Sequence, residues 1–444
     1  MGEQNDVNPK PQENDGGEEF TFIKEKIKDK PINKRKLATK VFVTIFLAVL
    51  FGLISGAVYL VSIHYLNDII YPKQKEIVKL SSDEENANVS ANQTPSVNEV
   101  KEEEEQTEHV INNIVEKVEM SVEDYEGLSV LLHNIALDAQ KSLVYVTGVS
   151  SDMDWFQNTY ENTNQEAGMI VAQNGKQLLI LVNKSVTENA QTISVKYVDG
   201  TTTEANLKKY DANTGLAIIG VDLEDISEET MREITSVKLG STATSNLVGK
   251  DVIAVGSPLG TEDSVAYGRI TSDSDTRQMI DTDMQLITTD IYGSKNASGM
   301  IINLKGEVLG IITKNYASED TENLISTIAI SDLRESIEKL SNGQDRALLG
   351  IYGTDVTVKA MEELGIPAGA YVTEIVMDSP AMEAGIQSGD VITKIGTTEI
   401  LNFSDYKSVM SKSQPGDTAV VTVMRFAKGE YTEMSFELIL DKLQ

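Results

Sequence analysis

Between residues 167 and about 330 the chain is a succession of short apolar runs, each ended by a turn-forming residue. Runs of this length bounded by Gly, Asn or Asp are typical of β-strands. Examples are residues 169–171, 178–182, 193–197, 216–221, 252–255 and 286–287. So many short strands at close spacing predict a β-barrel or a β-sandwich over this part of the chain.

The stretch 288–313 shows the pattern most clearly. Two apolar arms, 300–302 and 308–312, flank a turn at 303–307, in which Gly306 is free to adopt a positive φ. The loop 293–299 before them consists mainly of small residues, and loops of this kind let backbone N–H groups face a ligand. The sequence therefore predicts a hairpin with a candidate binding loop at its entrance.

The C-terminal hundred residues have a different pattern. Predicted strands at 371–376, 391–395 and 419–425 alternate with predicted helices around 380–384 and 404–412. A short amphipathic helix at 331–340 and a linker at 341–344 precede this unit. We expect an α/β domain at 346–444 that is separate from the all-β domain at 125–340.

The N-terminal part predicts a membrane anchor. Residues 1–40 are polar and then basic, and residues 41–63 follow without a single charge. A helix of that length spans a hydrocarbon core of ~30 Å. The basic flank favours a cytoplasmic N-terminus, which would place the main body outside the cell membrane. Residues 64–124 form an acidic tether. Apolar residues recur at helical spacing from 110 to 118 in the tether, and again after it, before a predicted strand at 143–146.

Composition excludes several functions. The formal net charge is −31, so nucleic acid is not an expected partner. The chain has no cysteine, hence no disulfide, thiol nucleophile or thiolate metal site. The sequence shows no metal-ligand cluster and no nucleotide fingerprint, and the glycine-rich segment 256–260 lacks the lysine and the helix of a phosphate loop, so no metal site or cofactor is predicted. The three histidines, His64, His109 and His133, all lie in the first third of the chain.

From about residue 125 onwards the chain resembles the HtrA/Deg-type serine proteases. The motifs that carry the resemblance are A-G-I-Q-S-G-D-V-I at 384–392, L-G-I at 349–351, D-A-N-T-G-L-A-I at 211–218, V-G-S-P-L-G at 255–260 and G-R-I at 268–270. The resemblance implies a chymotrypsin-like double β-barrel, a C-terminal PDZ domain and a homo-oligomer, commonly a trimer. It also implies that Leu349, Gly350 and Ile351 bind a peptide C-terminus through their N–H groups.

The same resemblance locates the catalytic positions, and none carries the family's residue. The histidine of the family's T-N-N-H-V motif corresponds to Ser185, and the aspartate of D-x-x-T-D-L-A-V corresponds to Gly215. The serine of G-N-S-G-G-P corresponds to Ala297 when residues are counted back from the turn at 303–306. Counted forward from Thr289, it corresponds to Ser298. We prefer Ala297, because the second register requires a deletion inside a paired strand.

Two functions follow as alternatives. Loss of the nucleophile or the base reduces kcat by about 10⁶ in serine proteases, and Lys295 opposes the backbone turn of an oxyanion hole. We therefore expect a membrane-anchored pseudoprotease that acts as a peptide-binding scaffold, regulator or chaperone. The alternative is an active envelope endopeptidase that uses Ser298 with a lysine base, Lys184 or Lys295.

Overall fold

The computed structural model describes residues 42–43, 45–52, 54–55, 77–80, 121–153, 159–243, 246–313, 316 and 321–443. The chain divides into two units, 1–73 and 74–444. In the first unit the described residues are helical. None of the helices described is both long and apolar enough to cross a membrane. Of the 23 residues of the predicted span 41–63, 11 lie outside the described residues, and so does all of the helical spacing at 110–118.

The second unit begins its first domain with a helix and a closed barrel. The helix α1 (Val122–Gln140) starts at Ser121, whose hydroxyl accepts from the N–H of Asp124 while the Asp124 carboxylate accepts from the N–H of Ser121. The strands are β1 (Leu143–Met153), β2 (Thr159–Gln173), β3 (Gln177–Asn183), β4 (Thr192–Lys196), β5 (Thr202–Asp211) and β6 (Leu216–Asp222). They close in the order β1-β2-β3-β6-β5-β4.

A second barrel follows. Its elements are α2 (Glu228–Glu233), β7 (Lys238–Leu239), β8 (Asp251–Ser257), β9 (Ser264–Met279), β10 (Thr282–Tyr292), β11 (Ser298–Ile302), β12 (Glu307–Ile312), β13 (Leu324–Ala329) and α3 (Ile330–Ser341). Six of these strands form the ring β11-β8-β9-β10-β13-β12, which the β11–β12 pairing closes. The predicted β-barrel fold is confirmed, and it is a chymotrypsin-like pair of barrels.

The C-terminal domain is an α/β unit built on a separate sheet. Its elements are β14 (Ala347–Leu348), β15 (Ile351–Asp355), α4 (Val358–Leu364), β16 (Ala370–Ile375), α5 (Pro380–Ala384), β17 (Val391–Ile395), β18 (Thr398–Glu399), α6 (Phe403–Lys412), β19 (Thr418–Ala427), β20 (Glu430–Ile439) and β21 (Asp441–Lys442). The main sheet runs β15-β16-β17-β19-β20, so β15 is an edge strand.

Four apolar clusters hold these domains together. One fills each barrel, one fills the C-terminal domain, and the largest joins the barrels through residues such as Met169, Val255 and Met300. Val78 belongs to the largest cluster, and its backbone exchanges two hydrogen bonds of 3.0 Å with the side chain of Asn342. The predicted tether 64–124 thus includes a short segment that packs on the barrel domain.

The predicted hairpin at 288–313 has the expected form. Strands β11 and β12 pair around a turn in which Gly306 has φ +76°. Gly299, at φ +113°, is a close-approach position, because a Cβ there would lie 2.2 Å from the Val255 carbonyl oxygen. Strands β8 and β11 therefore pack closely beside the loop 293–299.

Candidate functional site

A cleft of about 640 Å³ is lined by residues of both barrels. Ser185, Gly215 and Ala297 all line it, although they are far apart in the sequence. The folded chain thus brings together the three positions that the family resemblance singles out. None of the described residues that line the cleft is a histidine, so none of them offers an imidazole to accept a proton.

Ser185 lies in the 3₁₀ turn Lys184–Val186, which follows directly on strand β3. Its hydroxyl donates to one carboxylate oxygen of Glu166 at 2.7 Å. The side-chain amide of Asn183 donates to the other oxygen, also at 2.7 Å. This part of the cleft therefore presents a carboxylate held by two neutral donors.

Gly215 ends a tight turn at the entrance to strand β6. It adopts φ +68°, its N–H donates to the Asp211 carbonyl at 2.9 Å, and its own carbonyl accepts from the N–H of Lys184 at 2.7 Å. A residue with a Cβ is strained in this left-handed conformation by about 1 kcal/mol. The local backbone therefore favours glycine at this position.

Ala297 and Ser298 differ in where their side chains lie. Ala297 lines the cleft. Ser298 is the first residue of strand β11, is 2% exposed, and its hydroxyl accepts from the backbone N–H of Ala167 at 2.9 Å. In this structure the Ser298 hydroxyl therefore satisfies a buried main-chain donor of strand β2.

Two backbone N–H groups of the loop 293–299, at and next to the nucleophile position Ala297, form hydrogen bonds within the loop. The N–H of Ala297 donates to the Ser294 carbonyl at 3.1 Å, and the N–H of Asn296 donates to the Ser294 hydroxyl at 3.0 Å. An oxyanion hole needs N–H groups directed at the reacting oxygen. These two donors are already bonded within the loop.

Of the two lysines that could act as a base in the cleft, Lys184 contacts other side chains and Lys295 is exposed to solvent. The ammonium of Lys184 lies 4.4 Å from the centre of the Tyr210 ring and 4.0 Å from the Glu188 carboxylate. Lys295 is exposed on the loop. Burial raises the pKa of Tyr145, whose hydroxyl donates to the Gly256 carbonyl at 3.0 Å, so this phenol stays protonated.

No group of three or more metal-ligating side chains occurs among the residues that the structure describes. The predicted absence of a metal and of a cofactor stays a prediction.

The second candidate site is the loop that precedes strand β15. The N–H groups of Leu349 and Ile351 donate to different carboxylate oxygens of Asp281, at 2.8 and 3.0 Å. The N–H of Gly350 is shared between both oxygens, at 3.1 and 2.9 Å. The predicted carboxylate-binding loop thus does hold a carboxylate, and the carboxylate belongs to the second barrel.

Tyr406 on helix α6 completes this site. It is fully buried, stacks on Phe403, and its hydroxyl donates to Asp281 at 2.6 Å. Burial raises the pKa of Tyr406 well above its usual value, with the Asp281 charge adding to the effect. Tyr406 therefore remains a hydrogen-bond donor. Burial also raises the pKa of Asp281, and the hydrogen bonds to its carboxylate oppose that shift.

Glycine at position 350 is required by the packing of the loop. Gly350 adopts φ +93°, and a Cβ there would lie 2.2 Å from the Cβ of Ser379.

The segment A-G-I-Q-S-G-D at 384–390 is fixed by Arg425. The Arg425 guanidinium makes two hydrogen bonds of 2.7 Å to the buried Asp390 carboxylate and one of 2.8 Å to the Gly385 carbonyl. Ser379 therefore restricts position 350 to glycine, and Arg425 separately fixes the segment 384–390.

Sequence reasoning missed Asp281 and Tyr406. Asp281 occupies an ordinary turn between two strands, where aspartate is common for local reasons. Tyr406 falls at an apolar position of an amphipathic helix and looks like a core residue. Neither position carries a sequence signal of its own, because the contact joins segments 125 residues apart.

The comparisons with known proteins agree with the two domains. Residues 167–311 match the trypsin-like peptidase domain family, and residues 347–438 match the PDZ domain family. Together with the paired barrels, these matches define the class, a trypsin-like serine protease fold followed by a PDZ domain. The chain is similar to serine proteases of the HtrA and Deg type.

Individual relatives support this assignment. The chain is 30% identical over 282 residues to the serine protease Do-like HtrB of Bacillus subtilis (strain 168), covering 59% of this chain and 60% of the relative. It is 29% identical over 276 residues to the serine endoprotease DegS of Haemophilus influenzae, covering 60% and 74%. The chain thus spans about three fifths of the length of the first relative.

A solved structure, the HtrA-type protease AlgW with decapeptide, shares the fold. The TM-score is 0.52 at 21% sequence identity, over 70% of this chain and 98% of that chain.

Proposed function

We propose that this protein is a membrane-anchored, extracytoplasmic pseudoprotease whose PDZ domain binds peptide C-termini. One observation supports the loss of catalysis: the described lining of the cleft has the methyl group of Ala297 and no histidine, while the nearby Ser298 hydroxyl is bonded to Ala167. Hydrolysis by this fold needs a nucleophile, a base and oxyanion donors. Ala297 supplies no nucleophile, none of the described lining residues supplies an imidazole base, and the Ala297 N–H is already bonded to the Ser294 carbonyl.

The first experiment tests catalysis directly. The full-length chain, its Ser298→Ala variant and trypsin as a positive control are treated with a fluorophosphonate probe and then with unfolded casein. We expect labelling and turnover by trypsin alone. Labelling of the parent chain that the Ser298→Ala change abolishes would contradict the proposal and favour the endopeptidase alternative.

Peptide binding by the PDZ domain is supported by two features. The N–H groups of Leu349, Gly350 and Ile351 already bind a carboxylate, which is the group that ends every unmodified peptide. Strand β15 lies at the edge of its sheet, where an extended peptide can add by main-chain hydrogen bonds. Fluorescence anisotropy with a labelled random decapeptide pool, as free acids and as amides, tests this function; only the acids should bind.

Anchoring in the membrane is supported by the uncharged run 41–63 with its basic flank. Phe42, Phe46 and Phe51 are 75%, 62% and 73% exposed, which is unusual for aromatic residues in contact with water. Carbonate extraction and protease protection in cells test the orientation. Release of the intact chain by carbonate would contradict the proposal.

Self-association is supported by the exposed apolar residues in the N-terminal part of helix α1. Val122, Tyr125, Val130 and Leu131 are each more than half exposed there, at 70%, 63%, 60% and 56%. We propose that this part of the helix contacts further copies of the chain, as a trimer by family resemblance. Mass photometry should show an oligomer that Leu131→Glu dissociates, and a monomer for the parent chain would contradict it.

A further inference from the structure

The hairpin between β9 and β10 reaches the PDZ domain with its turn. Met279 and Thr282 pair directly across that turn, and Asp281 adopts φ +58° within it. Aspartate and asparagine tolerate this left-handed conformation better than other residues with a side chain. Asp281 is 4% exposed. Its carboxylate accepts hydrogen bonds from the N–H groups of Leu349, Gly350 and Ile351 in the PDZ loop.

The hairpin also forms hydrogen bonds with β15, the edge strand of the PDZ sheet. The backbone N–H of Asp281 donates to the Ile351 carbonyl at 2.8 Å. Two residues further along β15, the Gly353 carbonyl accepts from the side-chain amide of Gln278 at 3.3 Å. A peptide that added to the edge strand β15 would need these same main-chain acceptors. The hairpin thus imitates both the carboxylate and the first backbone hydrogen bond of a bound peptide.

A third contact lies beside the turn. The ammonium of Lys407 on helix α6 forms an ion pair with the carboxylate of Asp283. Both groups are about 30% exposed, so this pair contributes little stability and is open to competition from solvent and salt.

We propose that Asp281 is an internal ligand of the PDZ domain, which a peptide with a free C-terminal carboxylate must displace before it can bind. This inference rests on the proposed peptide-binding function and adds its regulation. It predicts that the parent chain binds C-terminal peptides more weakly than a chain whose internal ligand has been disabled.

The chemistry of the contact makes displacement feasible. The five hydrogen bonds described to the Asp281 carboxylate come from uncharged groups, the three loop N–H groups and the Tyr406 hydroxyl. A buried carboxylate without a cationic partner keeps part of its desolvation penalty. A peptide carboxylate would make the same bonds, so exchange of one for the other is nearly balanced.

The Asp281→Asn variant tests the inference with little change in shape. Asparagine tolerates the same backbone conformation, but its NH₂ group would face an N–H donor where an acceptor is needed. The matched control is Asp275→Asn on the same hairpin, where the exposed carboxylate accepts from the Ser272 hydroxyl at 3.3 Å. Both variants remove one negative charge.

Hydrogen exchange on the full-length chains measures the contact without any peptide. We expect the amides of 349–351 to exchange at least tenfold faster in Asp281→Asn than in the parent or in Asp275→Asn. Equal rates in all three chains would overturn the inference.

Anisotropy with the free-acid decapeptide pool then measures competition. Asp281→Asn should bind the pool at least tenfold more tightly than the parent chain or Asp275→Asn, and the amidated pool should not respond. Equal affinity of Asp281→Asn and the parent would overturn the inference. If neither chain binds the pool, the peptide-binding function fails, while the exchange rates still decide whether Asp281 occupies the loop.

Discussion

The hydroxyl of Ser298 accepts a 2.9 Å hydrogen bond from the backbone N–H of Ala167, and this bond ties strand β11 of the second barrel to strand β2 of the first. The serine therefore has a structural role. Ser298→Ala leaves a buried N–H without its acceptor, which costs about 1–3 kcal/mol. Urea unfolding should show this loss, whereas Ser274→Ala at an exposed position of β9 should leave stability unchanged. An unaltered midpoint for Ser298→Ala would contradict the role.

Restoring the three triad residues should not restore catalysis. In Ser185→His/Gly215→Asp/Ala297→Ser the N–H groups at 296 and 297 still donate to Ser294. Each missing oxyanion donor reduces kcat by about 10²–10³. We expect casein turnover to be at least about 10³-fold below that of trypsin. Adding Lys295→Gly should increase the rate by freeing the loop backbone, and equal rates for the triple and quadruple variants would argue against this explanation.

Tyr406→Phe should weaken binding of both carboxylates that the PDZ loop can hold, the internal one of Asp281 and that of a peptide C-terminus. The Tyr406 hydroxyl donates to Asp281 at 2.6 Å, and it would donate equally to a peptide carboxylate. Its loss should speed exchange of the amides 349–351 about tenfold, since a hydrogen bond to a charged group contributes roughly 1.5–3 kcal/mol. Unlike Asp281→Asn, it should not tighten binding of the free-acid peptide pool. Tighter binding would mean that the hydroxyl serves the internal ligand alone.

The ion pair between Arg346 and Asp211 should be important for folding. Arg346 donates at 2.9 Å to Asp211, whose side chain is 1% exposed. Arg346→Met leaves that charge buried and unpaired, and we expect a loss of about 3 kcal/mol in unfolding free energy. The double variant Arg346→Met/Asp211→Asn should recover much of this loss. Denaturant titration of the three chains provides the comparison, and additive losses would exclude the pairing.

Acid should weaken the junction between the first barrel and the C-terminus. Asp345 pairs with Lys209 and, at 3.1 Å, with Lys442, and the hydrogen bond from Lys209 lowers the Asp345 pKa below its usual value. A lowered carboxyl pKa adds stability above the unfolded pKa, and this is lost as the pH falls through the folded value. The melting temperature of the parent should therefore be higher than that of Asp345→Asn at pH ~7, and the two melting temperatures should converge below pH ~4. A constant difference across that range would refute the linkage.

Much of the fold could be predicted from local pattern. The turn at Gly306, the helix at 380–384 and the strand at 391–395 occur where apolar spacing and glycine placed them. These elements are set by residues a few positions apart. By contrast, the end-to-end pairing of β9 with β10 was not predicted, because the polar run 271–278 lacks the apolar alternation of a half-buried strand.

The candidate site could be predicted only in part. Motif positions singled out Ser185, Gly215 and Ala297, which the fold brings to one cleft. The N–H groups of Asn296 and Ala297 donate to the hydroxyl and the carbonyl of Ser294, and these bonds depend on backbone geometry that no motif encodes. The occupancy of the PDZ loop depends on how two domains pack, so it required the tertiary structure.

The turn that carries Asp281 is part of the same chain as the loop it fills, so it acts at a high effective concentration that does not change with dilution. If this contact keeps about 99% of the molecules closed, it weakens the apparent affinity for every incoming peptide about 100-fold. Abundant chain ends with weak intrinsic affinity would then be rejected, and only a tight-binding or locally concentrated C-terminus would be selected. The hairpin thus sets a threshold for recognition without making any contact with the peptide itself.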